Sequence, residues 1–133
     1  MRSLKRPAGI DNRPVEWVGS SKEDLSEFPR DVRTKFGFAL HEAQVGRKHP
    51  DAKPLRGFGG ANVLEIVARF DGDAFRAVYT VKLAGRIYVL HAFKKKSKSG
   101  IATPTADIDL IKVRLKIAEA DHAEWLSSKA REP

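Results

Sequence analysis

Apolar residues recur along this chain with two different periods, and the change between them falls near residue 61. In the first half Leu25, Phe28, Val32, Phe36, Leu40 and Ala43 return every three or four positions, the spacing of one buried helical face. Pro29 interrupts the pattern, because it has no N–H to give and its ring crowds the preceding turn. The stretch therefore predicts two helices, over 21–28 and 30–45, the second ended by Gly46. Ser20 and Glu23 have the spacing of a capping box at the start of the first. Upstream, "RPVEWV" (13–18) predicts a short strand with Val15 and Trp17 on one side.

"RKHPDAKPLRGFGGA" (47–61) is rich in Pro, Gly and basic residues and predicts a loop. Beyond it the period is two. "NVLEIVARF" (62–70), "AFRAVYTVKL" (74–83) and "RIYVLHAFK" (86–94) are β-branched and aromatic strands. The turn material "DGD" (71–73) and "AG" (84–85) joins them into an antiparallel meander. Thr103 and Pro104 then suit the cap and first turn of a closing helix. Its stripe of Ile108, Ile111, Leu115, Ala118, His122 and Trp125 predicts packing on the sheet. The expected fold is α+β: an antiparallel sheet built on a three-stranded meander, two N-terminal helices and one C-terminal helix, with the helices on one side. One domain is expected over 1–133, with 1–12 as a flexible arm and 127–133 as a frayed tail.

Charge adds what the pattern cannot. Twenty-five Lys and Arg stand against seventeen Asp and Glu, a formal net charge of +8 and a pI near 9.9. Such an excess suits a polyanion, since neutralising phosphates releases counterions. Without cysteine there are no disulfides, thiolate nucleophiles or Cys-ligated metals. No apolar run is long enough to span a bilayer, and "MRSLKRPAGIDNRP" lacks the apolar core of a secretory signal. A cytoplasmic protein that does not engage membranes is expected. "GFGG" (57–60) precedes a strand rather than a helix, so it is not a nucleotide-binding loop. The four histidines are scattered and predict no metal site.

The cations fall into three groups: Lys53 and Arg56 in the loop, Arg76 inside the second meander strand, and Lys94, Lys95, Lys96 and Lys98 after the third. Regular antiparallel pairing about the 84–85 turn brings Arg76 and Lys94 to one end of the sheet. Both belong to the even-numbered set, so unbroken pairing puts them on one face. Two cations meeting there call for an anion between them, and a phosphodiester fits. The competing readings are plain. Arg76 can pair with Glu65, the lysine run can be a solvated loop, and His91 and Tyr79 can be core residues.

The stretch "KPLRGFGGANVLEIVARFDGDAFRAVYTVKLAGRIYVLHAFKKKSKSGIATPTADIDLIKVRL" resembles the RelE/HigB-type toxins of bacterial toxin–antitoxin pairs, and most closely their phage-derived, toxin-like branch. The matching pieces are "KPLRG", Leu64-Glu65, "FRAVY", "YVLHAFKKK" and the "TP" that opens the last helix. The resemblance implies a RelE-like fold and a metal-independent endoribonuclease that needs no cofactor. It would cut messenger RNA in the ribosomal A site, through attack of a ribose 2′-OH on the adjacent phosphate, and so inhibit translation. It also implies a cognate antitoxin, in the HigB branch a helix-turn-helix (HigA-like) repressor, expected to cover the basic face. Carried over, Arg76, Lys94, Lys95 and His91 are the catalytic candidates, and Lys53, Arg56, Lys96 and Lys98 the RNA contacts. Some better-described members carry a Tyr or His near the last helix, where this chain reads "SKSGIATPT" with no aromatic residue, which leaves the general base open. Two alternatives stand beside the nuclease: a same-fold toxin that acts by binding a protein such as gyrase, and a non-catalytic RNA-binding module.

Overall fold

The computed structural model describes residues 12–59, 62–96 and 103–131. Its elements in chain order are β1 (Val15–Trp17), α1 (Ser21–Ser26), α2 (Arg30–Gln44), β2 (Lys53–Pro54), β3 (Val63–Phe70), β4 (Asp73–Thr80), β5 (Ile87–Lys96) and α3 (Thr105–Ala130). Both N-terminal helices form where the periodicity puts them. Gly46, at φ 85°, follows α2 in the left-handed conformation that stops a helix. The capping box does not form: the Ser20 hydroxyl donates to Asp24 Oδ2 at 2.8 Å and makes no bond to the backbone of the first turn.

The sheet is larger than the meander and not wholly antiparallel. Its five strands run in the order β1-β5-β4-β3-β2. Strands β2 to β5 pair antiparallel, while β1 lies parallel to β5 through Val15↔Ile87 and Trp17↔Val89. Two residues of the expected loop, Lys53 and Pro54, form the edge strand β2 against Glu65 and Leu64. The pair is too short for a periodic signal, and Pro54 is tolerated because it stands at the sheet's rim.

Nor do the helices share one side. Val32, Phe36, Ala39, Leu40 and Ala43 of α2 pack with Leu64, Ile66, Ala68, Phe75, Ala77, Tyr79, Ile87 and Val89. Ile111 and Ala118 of α3 pack with Val63, Val78, Tyr88 and Leu90, the alternate residues of the same strands. The sheet is therefore sandwiched, with α2 on one face and α3 on the other. The strands carry apolar residues on both faces, so alternation alone could not reveal that both are covered. Thr103 does not cap α3. Pro104 stands at the N-cap position, and the Thr103 hydroxyl reaches Glu65 instead.

The strand pairing has one break, and it decides the rest. Val78 opposes His91, but Tyr79 opposes Val89, so Leu90 is an extra residue in β5. This β-bulge puts Leu90 and His91 both toward α3 and inverts the alternation beyond them. Before the bulge the odd residues Ile87 and Val89 face α2. After it Ala92 opposes Ala77 and Lys94 opposes Phe75, so the even residues face α2.

The α2 face also buries a hydroxyl. Tyr79 is 1% exposed, and among the described residues its OH has no hydrogen-bond partner. Burial pushes its pKa from the usual 10.0 up to about 12. The folded state thus keeps a proton that the unfolded chain releases, and stability falls as pH rises from the lower value to the higher. Tyr79→Phe is expected to be neutral or stabilising in urea denaturation at pH 7, because it removes an unpaired buried group. It should also remove part of the stability loss at strongly alkaline pH. A variant clearly less stable than the parent at pH 7 would show that the hydroxyl has a partner in the folded protein.

Candidate functional site

On the α3 side of the sheet, residues that pair across strands stand in rows. One row is Lys53, Glu65, Val78 and His91; the next is Val67, Arg76 and Phe93; the last is Arg69, Ala74 and Lys95. The start of α3 lies over the first row, through Thr103 at Glu65 and Asp107 at His91.

Arg76 is the largest buried polar group, 2% exposed. Its Nη1 donates to Glu65 Oε1 at 3.2 Å, and its Nε has no acceptor among the described residues. Glu65 Oε2 accepts from the Thr103 hydroxyl at 2.7 Å. The pairing that competed with a phosphate role for Arg76 is therefore the one present. What the cleft sees is Glu65, with the guanidinium behind it. A carboxylate with both oxygens engaged still has spare lone pairs, and this one lines two clefts. One, of about 630 Å³, lies between Glu65, Thr103, Ile108 and residues 53–57; the other, of about 240 Å³, lies between Glu65, Lys53, Asp51 and Val67.

The cations divide differently from the even-numbered expectation. The bulge puts Lys95, not Lys94, on the face of Arg76. Lys94 turns to the other face, where its Nζ is 3.8 Å from Asp73 Oδ2, and it lines a groove together with Asp24, Glu27, Phe28, His91 and Phe93. Lys53 and Arg56 are exposed at the rim of the larger cleft, and Lys95 is half-buried two rows away, in the row of Arg69 and separated from it by Ala74. Lys96 ends β5, and Lys98 lies outside the described residues.

His91 joins the helix to the sheet. Its Nε2 lies 2.7 Å from Asp107 Oδ1, and its Nδ1 is 3.4 Å from Arg114 Nη1. Arginine only donates, so Nδ1 accepts and the Nε2 proton goes to Asp107. The ring also stacks on Phe93, centroids 4.6 Å apart. Both nitrogens are thus committed to α3. Arg114 itself donates to the Leu90 carbonyl at 3.0 Å and to the Ser20 hydroxyl at 3.2 Å, so it satisfies the backbone where the bulge disturbs the ladder.

Sequence reasoning took Glu65 only as a partner for Arg76 and Thr103 only as a cap, and it gave Arg69 no role. A lone carboxylate between Leu64 and Ile66, in a strand otherwise apolar up to Arg69, was the available signal. The geometry offers a proton acceptor, two cations in the same cleft and room for a small part of a polyanion. Among the described residues no three His, Asp or Glu side chains gather to hold a metal ion, and no helix is long and apolar enough to cross a membrane.

No curated protein sequence matches the chain significantly. Among solved structures, the free form of an Escherichia coli RelE toxin variant is similar at 16% identity and a TM-score of 0.50, over 79% of this chain and 96% of that one. The RelBE2 toxin–antitoxin complex of Mycobacterium tuberculosis is similar at 18% identity and a TM-score of 0.38, over 67% of this chain and 97% of that one. The likeness to RelE is one of fold, and the sandwiched sheet with its closing helix is that RelE-like fold. Residues 23–116, spanning every element from α1 to the middle of α3, match the family described as phage derived protein Gp49-like, and the chain belongs to that family of RelE-type proteins.

Proposed function

We propose that this protein is the toxin of a toxin–antitoxin pair, an endoribonuclease that cuts messenger RNA on the ribosome. The observation that carries the reading is the Glu65 carboxylate, held by Arg76 and Thr103, with Lys53 and Arg56 in the same cleft and Lys95 two rows along the same face. RelE, similar in fold, is itself named a toxin, and the resemblance through "FRAVY" and "YVLHAFKKK" points the same way.

In this reading Glu65 takes the proton of a ribose 2′-OH. The freed oxygen forms a bond to the adjacent phosphorus as the bond to the 5′-oxygen breaks, leaving a 2′,3′-cyclic phosphate and a 5′-hydroxyl. Lys53 and Arg56 meet the charge that grows on the phosphoryl oxygens. The Lys95 ammonium gives its proton to the departing 5′-oxygen. Arg76 acts through Glu65, fixing its position and balancing its charge. His91 acts through α3, which it fastens over the site. The ribosome supplies the message in extended form. The partner that silences the toxin is a cognate antitoxin of the helix-turn-helix type, covering the basic face.

Mapping new 5′ ends on a translated message during expression tests this. Glu65→Gln and Lys95→Ala should each lower cleavage by about 10²-fold or more, while Lys94→Ala, on the opposite face, should stay within about threefold of the parent. Growth arrest without any cut message would overturn the nuclease reading in favour of a toxin that binds protein. Equal losses at Lys94 and Lys95 would overturn the assignment of faces.

The buried pair gives a second test, independent of activity. Glu65→Ala leaves a buried guanidinium without its carboxylate and should cost about 3–5 kcal/mol in urea denaturation. The double variant Arg76→Met, Glu65→Leu should recover most of that loss while remaining inactive. A double variant as unstable as the single one would show that Arg76 has other essential partners.

A further inference from the structure

We infer that the larger cleft holds a nucleobase, and that Thr103 makes it select bases that carry an amino group and reject uracil. The inference rests on the reading that this face binds RNA, and goes beyond it by naming what the cleft reads.

The walls argue for a base rather than a phosphate. Pro54, Leu55 and Ile108 are apolar and line a space of about 630 Å³. Such walls offer nothing to a phosphate, but they pack well against the face of an unstacked base. The cations Lys53 and Arg56 stand at the rim, where the chain's phosphates would pass as the base enters. Deeper in, at the floor, the Glu65 carboxylate offers lone pairs to an N–H, while the phosphate beside the attacked ribose stays with Lys53 and Arg56.

The floor's hydrogen bonding supplies the selectivity. Thr103 has one hydroxyl proton and gives it to Glu65 Oε2 at 2.7 Å. What it presents to the cleft is lone pairs. Glu65 is likewise an acceptor, with Arg76 on its far oxygen. Floor and threonine together accept and do not donate. Adenine, cytosine and guanine each bring an exocyclic amino group that satisfies such an acceptor. Uracil brings two carbonyl oxygens around one N–H, and an oxygen aimed at Thr103 would leave both without a partner. Thr103 is therefore the reader, while the attacking 2′-OH approaches Glu65.

Two measurements on the full-length protein test this. In the first, 5′ ends are sequenced from translated messages whose codons vary, for the parent, Thr103→Val and Thr103→Ser. The parent should cut beside A, C or G about fivefold or more in excess over U, the worth of one hydrogen bond. Thr103→Val keeps the shape but has no lone pairs, and should bring the bias within about twofold. Thr103→Ser should retain it. In the second, purified protein is titrated with 2′-O-methyl oligoadenylate and oligouridylate, which cannot be cleaved by 2′-OH attack. Oligoadenylate should bind about fivefold tighter, and Thr103→Val should equalise the two. A parent that treats uridine like the other bases in both measurements overturns the inference, as does a bias that survives Thr103→Val or vanishes in Thr103→Ser. If no message is cut but the binding bias follows Thr103, the nuclease reading fails and the base site stands.

Discussion

Leu90 is one residue more than β4 can pair, and the surplus turns the rest of β5 over. Side chains in a strand alternate strictly, so a single insertion exchanges the faces of every residue beyond it. The exchange gives Lys95 to the face of Arg76 and sends Lys94 to Asp73 on the other. It also aims Leu90 and His91 together at α3. A bulge disturbs the backbone ladder, and here Arg114 answers with a bond to the Leu90 carbonyl. The same guanidinium touches His91 and Ser20, and lies so near Gly19 that a Cβ there would come within 2.8 Å of it. Bulge, helix position and the tight entry into α1 are thus one arrangement.

The electrostatics of the face follow from what is buried in it. The sequence expectation for a protein of net charge +8 is an arginine bared to a polyanion. Instead the strand arginine is sealed in and shares its charge with Glu65. A buried pair of opposite charges adds little net field, so the potential over the cleft belongs to the exposed Lys53 and Arg56, with the half-buried Lys95 farther along the face. Those groups can follow a phosphate chain without large desolvation. The guanidinium contributes where it is most useful in a dry setting, by holding one carboxylate in one position.

How far the chain could be read without coordinates differs from element to element. The two N-terminal helices, the three long strands and the stripe of α3 were legible because each carries a full period of apolar residues. The pairing of β1 and the two-residue β2 were not, because strands so short have no period to read. That α3 takes the opposite face from α2 was hidden in strands apolar on both sides. The cation groups were legible as composition, and Arg76 with Glu65 as a possible pair. Which lysine joins them depends on the bulge, and nothing in "YVLHAFKKK" marks Leu90 as surplus. Thr103 was misjudged for a physical reason: Thr before Pro is a good cap by local chemistry, and a tertiary partner, Glu65, competed for its hydroxyl and won.

The position of α3 along the sheet is held by polar contacts more than by its apolar stripe. Ile111 and Ala118 mark the buried face, while Val113 and Ile117 are apolar and exposed, so the stripe chooses the helix's face without fixing how far along the sheet it sits. The polar contacts fix that. Asp107 meets His91, Arg114 meets the bulge, and Asp121 accepts from Tyr88 at 2.7 Å and from Arg86 at 3.2 Å. His122 donates to the Ala84 carbonyl at 2.7 Å, and the Arg86 guanidinium lies 4.2 Å over the Trp125 ring. A slide of one turn, about 5.4 Å, would break every one of them and draw Thr103 away from Glu65. The long C-terminal half of α3 lies far from the cleft, yet its contacts fix where the cleft's own threonine stands.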